Sequence, residues 1–291
     1  MRTFLVNLER RPDRLAAMTA QLDRLGIPFE RFNAVDAGTA DPAALRAPFA
    51  ASGPLGTLSP GDMGCTMSHI HIWRTIAEGP DEWVTVLEDD IQLSDSAPEF
   101  LSDSAWIPKG IGLVKPERYG DENQLIVIGR PRMEVKGRIL APLLSRHTGT
   151  GGYIISRETA GWLANMREKL TLPVDHLMFN PNNSPVFDWL KPWQLLPAVL
   201  DQRVEVGGAT DIHRTREATK LSQLDDNLGA SDVKLTDSEL AELDGAMPPI
   251  PVYPNWFFDT LGDKPKHITG TYVVVWKKVG RTWKLWTDIF H

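Results

Sequence analysis

The chain has 291 residues, of which 42% are hydrophobic and 24% are charged, so it can bury one sizeable core and carry a smaller second unit. Its net charge of -7 excludes a broad electrostatic hold on nucleic acid, because such binding relies on clustered Lys and Arg. The single cysteine, Cys65, excludes an internal disulfide framework and a multi-cysteine metal cage, which favours a reducing, cytoplasmic setting.

The beginning of the chain predicts a β-α-β unit over residues 1–36. An apolar strand over residues 3–8 is followed by an arginine-rich turn, and Pro12 suits the first turn of a helix. Leucines and a methionine recur at helical spacing until Gly26, which ends the helix, and residues 29–35 offer a second strand. No apolar stretch is long enough to span a bilayer or to form a signal-peptide core.

A second helix and strand follow a loop, or short irregular helix, over residues 41–60. Ser59 is the predicted N-cap of a helix that begins at Pro60 and runs to about Ala77. The compact apolar strand over residues 83–87 then delivers Glu88, Asp89 and Asp90 to its carboxyl end, where open α/β sheets bind their ligands. Further strands are predicted over residues 125–128 and 152–155, and a helix over residues 157–170, which gives an alternating α/β domain.

The character of the sequence changes beyond about Arg216. The pattern Thr-x-x-Glu at Thr236 predicts a helix that ends near Pro248. Two β-rich runs, residues 271–276 and 283–289, predict a hairpin around Gly280.

Three consecutive acids after a buried strand repel one another and raise each other's pKa, and a bound Mg²⁺ or Mn²⁺ would remove that cost. The alternative is that some of these acids cap a helix or face solvent. Two other features also have two interpretations. The charged turn over residues 9–14 could hold a diphosphate or form a solvated, ion-paired face, and His69 could be a site residue or a packed helix histidine.

Five motifs, in this order and spacing, resemble glycosyltransferase family 25 over about residues 1–216. They are Val6-Asn7-Leu8-Glu9-Arg10-Arg11-Pro12-Asp13-Arg14, the run from Leu58 to His69 with Trp73, Val86-Leu87-Glu88-Asp89-Asp90, Gly149 to Ser156, and Pro173 to Phe179. The resemblance implies a GT-A-like fold with a mixed sheet flanked by helices, and transfer of a hexose, galactose above all, from a UDP-sugar to a lipopolysaccharide or related glycan acceptor.

The same resemblance implies roles for particular residues. Glu88 and Asp90 would bind Mn²⁺ or Mg²⁺, and Asp175 and His176 would contact the acceptor or act in catalysis, with Asp175 as the base if the enzyme inverts. Donor binding would involve Asn7, Arg11, Arg14, Ser68, His69, Glu88 and Asp89.

The rest of the chain resembles fragments of two other families. Residues 217–263 are similar to the end of an aldo-keto reductase, and residues 264–291 to the final strands of a SnoaL-like domain. The chain is therefore predicted to combine one transferase domain with a C-terminal helix and β-hairpin appendage, and the hairpin could support an oligomer.

Two other functions are considered beside the transferase. One is a catalytically inactive protein that still binds sugar nucleotides, and the other is an oxidoreductase, which the missing barrel argues against. The sequence predicts a cytoplasmic protein with no transmembrane segment, which could contact the inner face of the membrane.

Overall fold

A computed structural model describes residues 1–119 and 126–202, and the backbone of residues 272–279 and 282–290. The chain divides into two units, residues 1–220 and residues 221–291. The first unit contains the predicted α/β domain, and each unit is described by itself.

Within residues 1–202, the central feature of the first unit is an eight-stranded sheet. In spatial order its strands are β2 (Glu30–Asn33), β1 (Arg2–Asn7), β3 (Trp83–Glu88), β9 (Gly152–Ser156), β5 (Leu113–Lys115), β10 (Trp193–Leu196), β8 (Arg138–Pro142) and β7 (Met133–Val135). β1 runs parallel to both β2 and β3, whereas β9 runs antiparallel to β3 and β5. The sheet is therefore mixed.

Helices cover both faces of this sheet. The described helices are α1 (Pro12–Arg24), α2 (Pro42–Arg46), α3 (Pro60–Glu78), α4 (Ala97–Leu101), α5 (Arg157–Ala164), α6 (Val174–Phe179) and α7 (Phe187–Leu190). Alternate residues of β1 belong to different hydrophobic clusters: Phe4 packs with Trp73 of α3, and Leu5 packs with Leu22 of α1. The predicted α/β class with a mixed sheet flanked by helices is confirmed.

The local signals at the start of the chain have their expected structural effects. α1 connects the parallel strands β1 and β2, as the predicted β-α-β unit requires. Gly26 has a φ of +64°, a backbone conformation that side chains with a Cβ disfavour, and it follows the end of α1. Ser59 caps α3 through a capping box, because its side chain accepts a hydrogen bond from the backbone N–H of Asp62.

Two predicted elements are wrong in extent. The helix predicted to continue to Leu170 ends at Ala164. Just after this end, the side-chain amide of Asn165 donates to the carbonyl of Gly161. Leu170 instead pairs with Phe49 in an isolated bridge. The strand predicted over residues 125–128 is reduced, in its described part, to an isolated bridge between Ile128 and Leu143.

A second, three-stranded sheet lies beside the carboxyl end of β3. It contains β4 (Gln92–Leu93), β11 (Leu200–Gln202) and β6 (Glu117–Tyr119), in that order. Because β4 begins two residues after Asp90, this sheet fixes the chain that leaves the acidic run.

The described part of the second unit is an antiparallel hairpin of β12 (Tyr272–Val279) and β13 (Thr282–Phe290). The predicted hairpin is therefore present, and its two strands continue closer to the turn than the sequence suggested. The predicted helix after Thr236 and the segment that resembles an aldo-keto reductase lie outside the described residues. Among the described residues, no helix is both long enough and apolar enough to cross a bilayer.

Candidate active site

The candidate site lies where β1 and β3 end side by side. Val6 is paired in register with Glu88, so the polar residue that ends β1, Asn7, lies next to the acidic run Glu88-Asp89-Asp90. A pocket of about 400 Å³ opens at this edge, and all three acids line it. Ligand pockets of small molecules have volumes of this order.

Glu88 is held in its ionised form by its neighbours. Its Oε1 accepts hydrogen bonds from Thr150 Oγ1 at 2.6 Å and from His69 Nε2 at 3.0 Å. Burial by itself would raise the pKa of Glu88, but the hydrogen bonds from His69 and Thr150 and the charge of Lys115 outweigh it, so its pKa lies below the usual range. Glu88 is therefore a carboxylate with one oxygen already engaged.

His69 is the centre of a buried chain of hydrogen bonds. Because an ionised Glu88 only accepts, His69 Nε2 carries a proton, and in the neutral imidazole Nδ1 then accepts from the Tyr153 hydroxyl at 2.8 Å. The indole N–H of Trp73 donates to the same hydroxyl oxygen at 2.9 Å. The order Trp73, Tyr153, His69, Glu88 gives a partner to the indole N–H, the Tyr153 hydroxyl and both ring nitrogens of His69, and it fixes the orientation of the imidazole.

Asp89 is neutralised by partners from β1 and α1. Its Oδ2 accepts from Asn7 Nδ2 at 2.7 Å, and its Oδ1 accepts from Arg14 at 3.0 Å. Burial raises the pKa of Asp89, and the contacts with Asn7 and Arg14 offset part of that rise. Arg31 donates to Asn7 Oδ1 at 3.0 Å, so the amide that holds Asp89 is itself fixed.

Among the three acids, Asp90 has the negative charge that its neighbours compensate least. Its Oδ1 accepts from Gln202 Nε2 at 3.0 Å, and its Oδ2 lies 3.7 Å from the Arg14 guanidinium. Burial and the nearby charge of Glu88 raise the pKa of Asp90 to about 7. A cation bound between Glu88 and Asp90 would remove this repulsion, so these two residues fit a hard divalent ion.

A second arrangement of metal-ligand types overlaps this one. The ligand atoms of Cys65, His69 and Glu88 lie within 4.8 Å of one another. However, His69 and Glu88 are hydrogen-bonded directly to each other, and burial raises the pKa of the Cys65 thiol well above its usual value. Because the thiolate is the form that binds metal, the oxygen pair Glu88 and Asp90 is the better cation site.

The opposite wall of the pocket comes from the chain after β2 and from α3. Ser68 lines the pocket, and its hydroxyl accepts a hydrogen bond from the backbone N–H of Val35 at 2.8 Å and donates to the Gly64 carbonyl. Asp36 accepts from the Gly38 N–H and from Arg10, whose guanidinium lines the pocket. Ser68 thereby holds the wall, and Arg10 brings a positive charge to its rim.

Neither Asp175 nor His176 lines the pocket of about 400 Å³. Asp175 is buried at the start of α6, and its Oδ2 accepts from the Gly149 N–H at 3.2 Å. His176 Nδ1 meets the side-chain amide of Asn180 at 2.7 Å. Asp175 thus contacts the same segment, residues 149–152, that supplies Thr150 to Glu88.

A buried ion pair fixes this segment, residues 149–152, against the sheet. Lys115 and Glu117 are both fully buried, with Nζ and Oε2 2.8 Å apart. Lys115 also donates to the Gly149 carbonyl at 2.6 Å, and Glu117 accepts from the Gly152 N–H at 3.0 Å. The two charges therefore hold both ends of the segment.

The structure thus brings Asn7, Arg14 and Asp89 together, and Ser68, His69 and the other two acids line the same pocket. The side chain of Arg11 instead makes a two-pronged contact with Asp13 at the start of α1.

Sequence reasoning missed Thr150, Tyr153, Lys115, Glu117 and Gln202. Thr150 and Tyr153 lie in the run from Gly149 to Ser156, one of the five motifs that resemble family 25. That motif was therefore the signal that could have found them. Lys115 and Glu117 have no such local pattern.

Comparison with known proteins identifies the family. The family model for glycosyltransferase family 25 (LPS biosynthesis protein) matches residues 1–178. Lacto-N-neotetraose biosynthesis glycosyltransferase LgtB of Neisseria meningitidis is 29% identical over 227 residues, which cover 70% of this chain and 76% of that protein. A Haemophilus influenzae protein named as a glycosyltransferase is 26% identical over 179 residues, 60% of this chain and 62% of that relative, so the chain spans less than two thirds of its length.

Among solved structures, a glycosyltransferase involved in glycosylation of the major capsid of PBCV-1 has a TM-score of 0.39 and 11% identity, over 76% of this chain and 98% of that one. The family match supports the first of the three sequence resemblances, and those of the C-terminal segments gain no support from it. Because the match covers more than half of the chain, the chain belongs to glycosyltransferase family 25.

Proposed function

We propose that the chain transfers a hexose, galactose in particular, from a UDP-sugar to a lipopolysaccharide or related glycan acceptor, with the help of Mn²⁺ or Mg²⁺. Membership of family 25 supports glycosyl transfer. The name of the Neisseria relative, a lacto-N-neotetraose biosynthesis enzyme, supports a glycan acceptor.

The unequal compensation of the three acids is the observation that carries this proposal. Asp89 is paired with Arg14 and Asn7, whereas Asp90 lines the same pocket as Glu88, and burial together with the nearby charge of Glu88 raises the pKa of Asp90 to about 7. A purely structural acidic turn would gain nothing from this repulsion. A cation site gains from it, because the ion contributes the missing charge.

Glu88 and Asp90 would hold the divalent ion. When bound, the ion supplies Lewis-acid stabilisation of the negative charge on the leaving nucleoside diphosphate. Asp89 would then orient Arg14 rather than bind metal, since both of its oxygens already accept hydrogen bonds.

The donor's nucleotide part would bind along β1, α1 and the facing wall. Arg14 lies at the pocket with a charge-assisted contact to Asp89, and guanidinium groups match diphosphate oxygens geometrically. Ser68 and His69 line this part of the pocket, and Asn7 holds Asp89 beside them. Arg11 lies at the N-terminus of α1, where the helix favours an anion.

Asp175 and His176 would serve the acceptor side. If the reaction inverts the anomeric centre, a carboxylate must take the proton of the acceptor hydroxyl, and Asp175 is the proposed base. In support of this, Asp175 accepts a hydrogen bond from Gly149, in the segment that also supplies Thr150 to Glu88. Cytoplasmic location, contact with the inner membrane surface, and oligomer formation through the hairpin stay predictions from the sequence.

The test is release of UDP from UDP-galactose, with Mn²⁺ present and a lipooligosaccharide that lacks its terminal hexoses as acceptor. Asp90→Asn should lower the rate about a hundredfold, because the ion's charge stabilises the transition state. Asp95→Asn is the matched control, since the Asp95 side chain is 87% exposed and pairs with Arg24 on the surface.

Equal rates in Asp90→Asn and Asp95→Asn would contradict the metal assignment. Release of no UDP by a folded wild-type protein that still binds UDP would instead favour the catalytically inactive alternative.

A further inference from the structure

Two tryptophans form an exposed stacked pair away from the candidate active site. Trp162 of α5 and Trp189 of α7 have ring centroids 3.7 Å apart and an interplanar angle of 17°. Each remains more than a third exposed, at 38% and 45%. Stacking covers one face of each ring, so two large apolar surfaces remain available to a ligand.

Each ring borders its own depression in the surface. Trp162 lines one with a volume of about 690 Å³, together with Asn165, Arg167 and Glu168. Trp189 lines a second of about 1180 Å³, together with Asp188. The stacked pair thus lies between two adjacent depressions, which share Gly161.

The charges around the pair are balanced, which indicates a neutral ligand. The first depression has one acid, Glu168, and one base, Arg167. The second has three acids and three bases, namely Glu82, Glu158, Asp188, Lys109, Arg157 and Lys191. An anionic membrane surface would select an excess of Lys and Arg, and this surface has none.

Several of these polar side chains are available to a ligand. Within the part of the chain that the structure describes, no hydrogen bond or ion pair engages the side chains of Lys109, Glu158 or Asp188. Carboxylates and ammonium groups beside an aromatic face can bind hydroxyl groups while the ring packs against an apolar surface. A sugar ring has both features, because its C–H groups form an apolar face and its hydroxyls lie around the rim.

This surface lies at the other end of the sheet from the acidic run. The second depression includes Trp83, which begins β3, and Ser156, its partner in β9, whereas Glu88 ends β3. Five residue steps separate Trp83 from Glu88, or about 17 Å along an extended strand. A ligand on the tryptophan pair therefore does not occupy the donor pocket.

We infer that the Trp162–Trp189 pair and its two flanking depressions form a binding site for a neutral oligosaccharide, separate from the donor pocket. A sugar ring packs against the outer face of an indole, and the flanking side chains bind the hydroxyls of that ring and of its neighbours. The inference concerns binding alone and does not need the proposed transfer reaction.

The test is calorimetric titration of the full chain with the neutral tetrasaccharide lacto-N-neotetraose, without nucleotide or metal. Wild type should bind with a Kd on the order of 1 mM, nearly independent of salt because the ligand has no charge. Trp189→Ala should weaken binding about tenfold, since aromatic anchors dominate such contacts, and Trp189→Phe should restore most of the affinity.

Leu144→Ala is the control, because Leu144 is an exposed hydrophobic residue, at 53%, that lines neither depression. Asp90→Asn should bind the tetrasaccharide as wild type does, even if it has lost every trace of transfer activity. Three results would each overturn the inference: no binding by wild type, equal binding by Trp189→Ala and Leu144→Ala, or loss of binding in Asp90→Asn alone. Binding to anionic lipid vesicles that Trp189→Ala abolishes would also overturn it, by assigning the surface to a membrane.

Discussion

The substitution Lys115→Met tests whether the buried ion pair holds the segment over residues 149–152. It removes the charge that Glu117 faces at 2.8 Å and the donor that the Gly149 carbonyl uses. Loss of one member of a buried pair costs about 3–5 kcal/mol, because the remaining charge is left uncompensated. We expect the free energy of unfolding to fall by that amount near neutral pH.

The stability lost in Lys115→Met should depend on pH. Burial already raises the pKa of Glu117 above that of the unfolded chain, although Lys115 lowers it in part. Without Lys115 the folded protein keeps a proton on Glu117 at pH values where the unfolded chain has released it, so stability falls as pH rises above the ordinary pKa of Glu117. The Lys115→Met variant should therefore be closer to wild type at pH 5 than at pH 8.

Urea denaturation at both pH values measures the effect. The double variant Lys115→Met/Glu117→Gln is the control, since it removes the stranded charge and keeps an oxygen that can accept from the Gly152 N–H. It should recover about half or more of the lost stability. A loss below about 1 kcal/mol in Lys115→Met, or the same loss at both pH values, would refute the reasoning.

Two further substitutions, the first with a matched control, probe the packing beneath the site, and each is measured by thermal and urea unfolding. Gly152→Ala would press its new methyl group against Leu200 Cδ1 and should lower the free energy of unfolding by about 1–3 kcal/mol. Gly161→Ala is the control, because its added Cβ would be 3.5 Å from the nearest neighbour. This control should be neutral or stabilising by up to about 1 kcal/mol. Equal stabilities would show that the close approach at Gly152 does not matter. Tyr153→Phe leaves the buried indole N–H of Trp73 without its acceptor and should cost about 1–3 kcal/mol, and a wild-type stability would contradict the order of hydrogen bonds from Trp73 to Glu88.

The sequence predicted those parts of the fold that depend on local chemistry. Gly26 marks the end of α1 because a positive φ favours glycine. Ser59 and Pro60 mark the start of α3, because a side-chain oxygen at the N-cap accepts from a free backbone N–H and the first helical position has no need of an N–H of its own. The three acids could be placed at the edge of the sheet because a buried apolar strand precedes them.

The sequence could not show how the acids divide their roles. Asn7 and Asp89 are 82 residues apart and Gln202 and Asp90 are 112 apart, so only the folded chain reveals that Asp89 is paired with a charge and Asp90 is compensated less. The same holds for the stacked indoles of Trp162 and Trp189, which belong to different helices. Short elements such as β5, with three residues, contain too few positions for a periodic pattern to appear.

The proposed function requires that Glu88 and Asp90 form a divalent-ion site for the donor's diphosphate. Calorimetric titration of the purified chain with UDP, with and without Mn²⁺, tests it most directly, because no acceptor is needed. We expect binding only when Mn²⁺ is present, and loss of that binding in Asp90→Asn with the fold intact. Equal binding of UDP with and without Mn²⁺, or unchanged binding in Asp90→Asn, would contradict it.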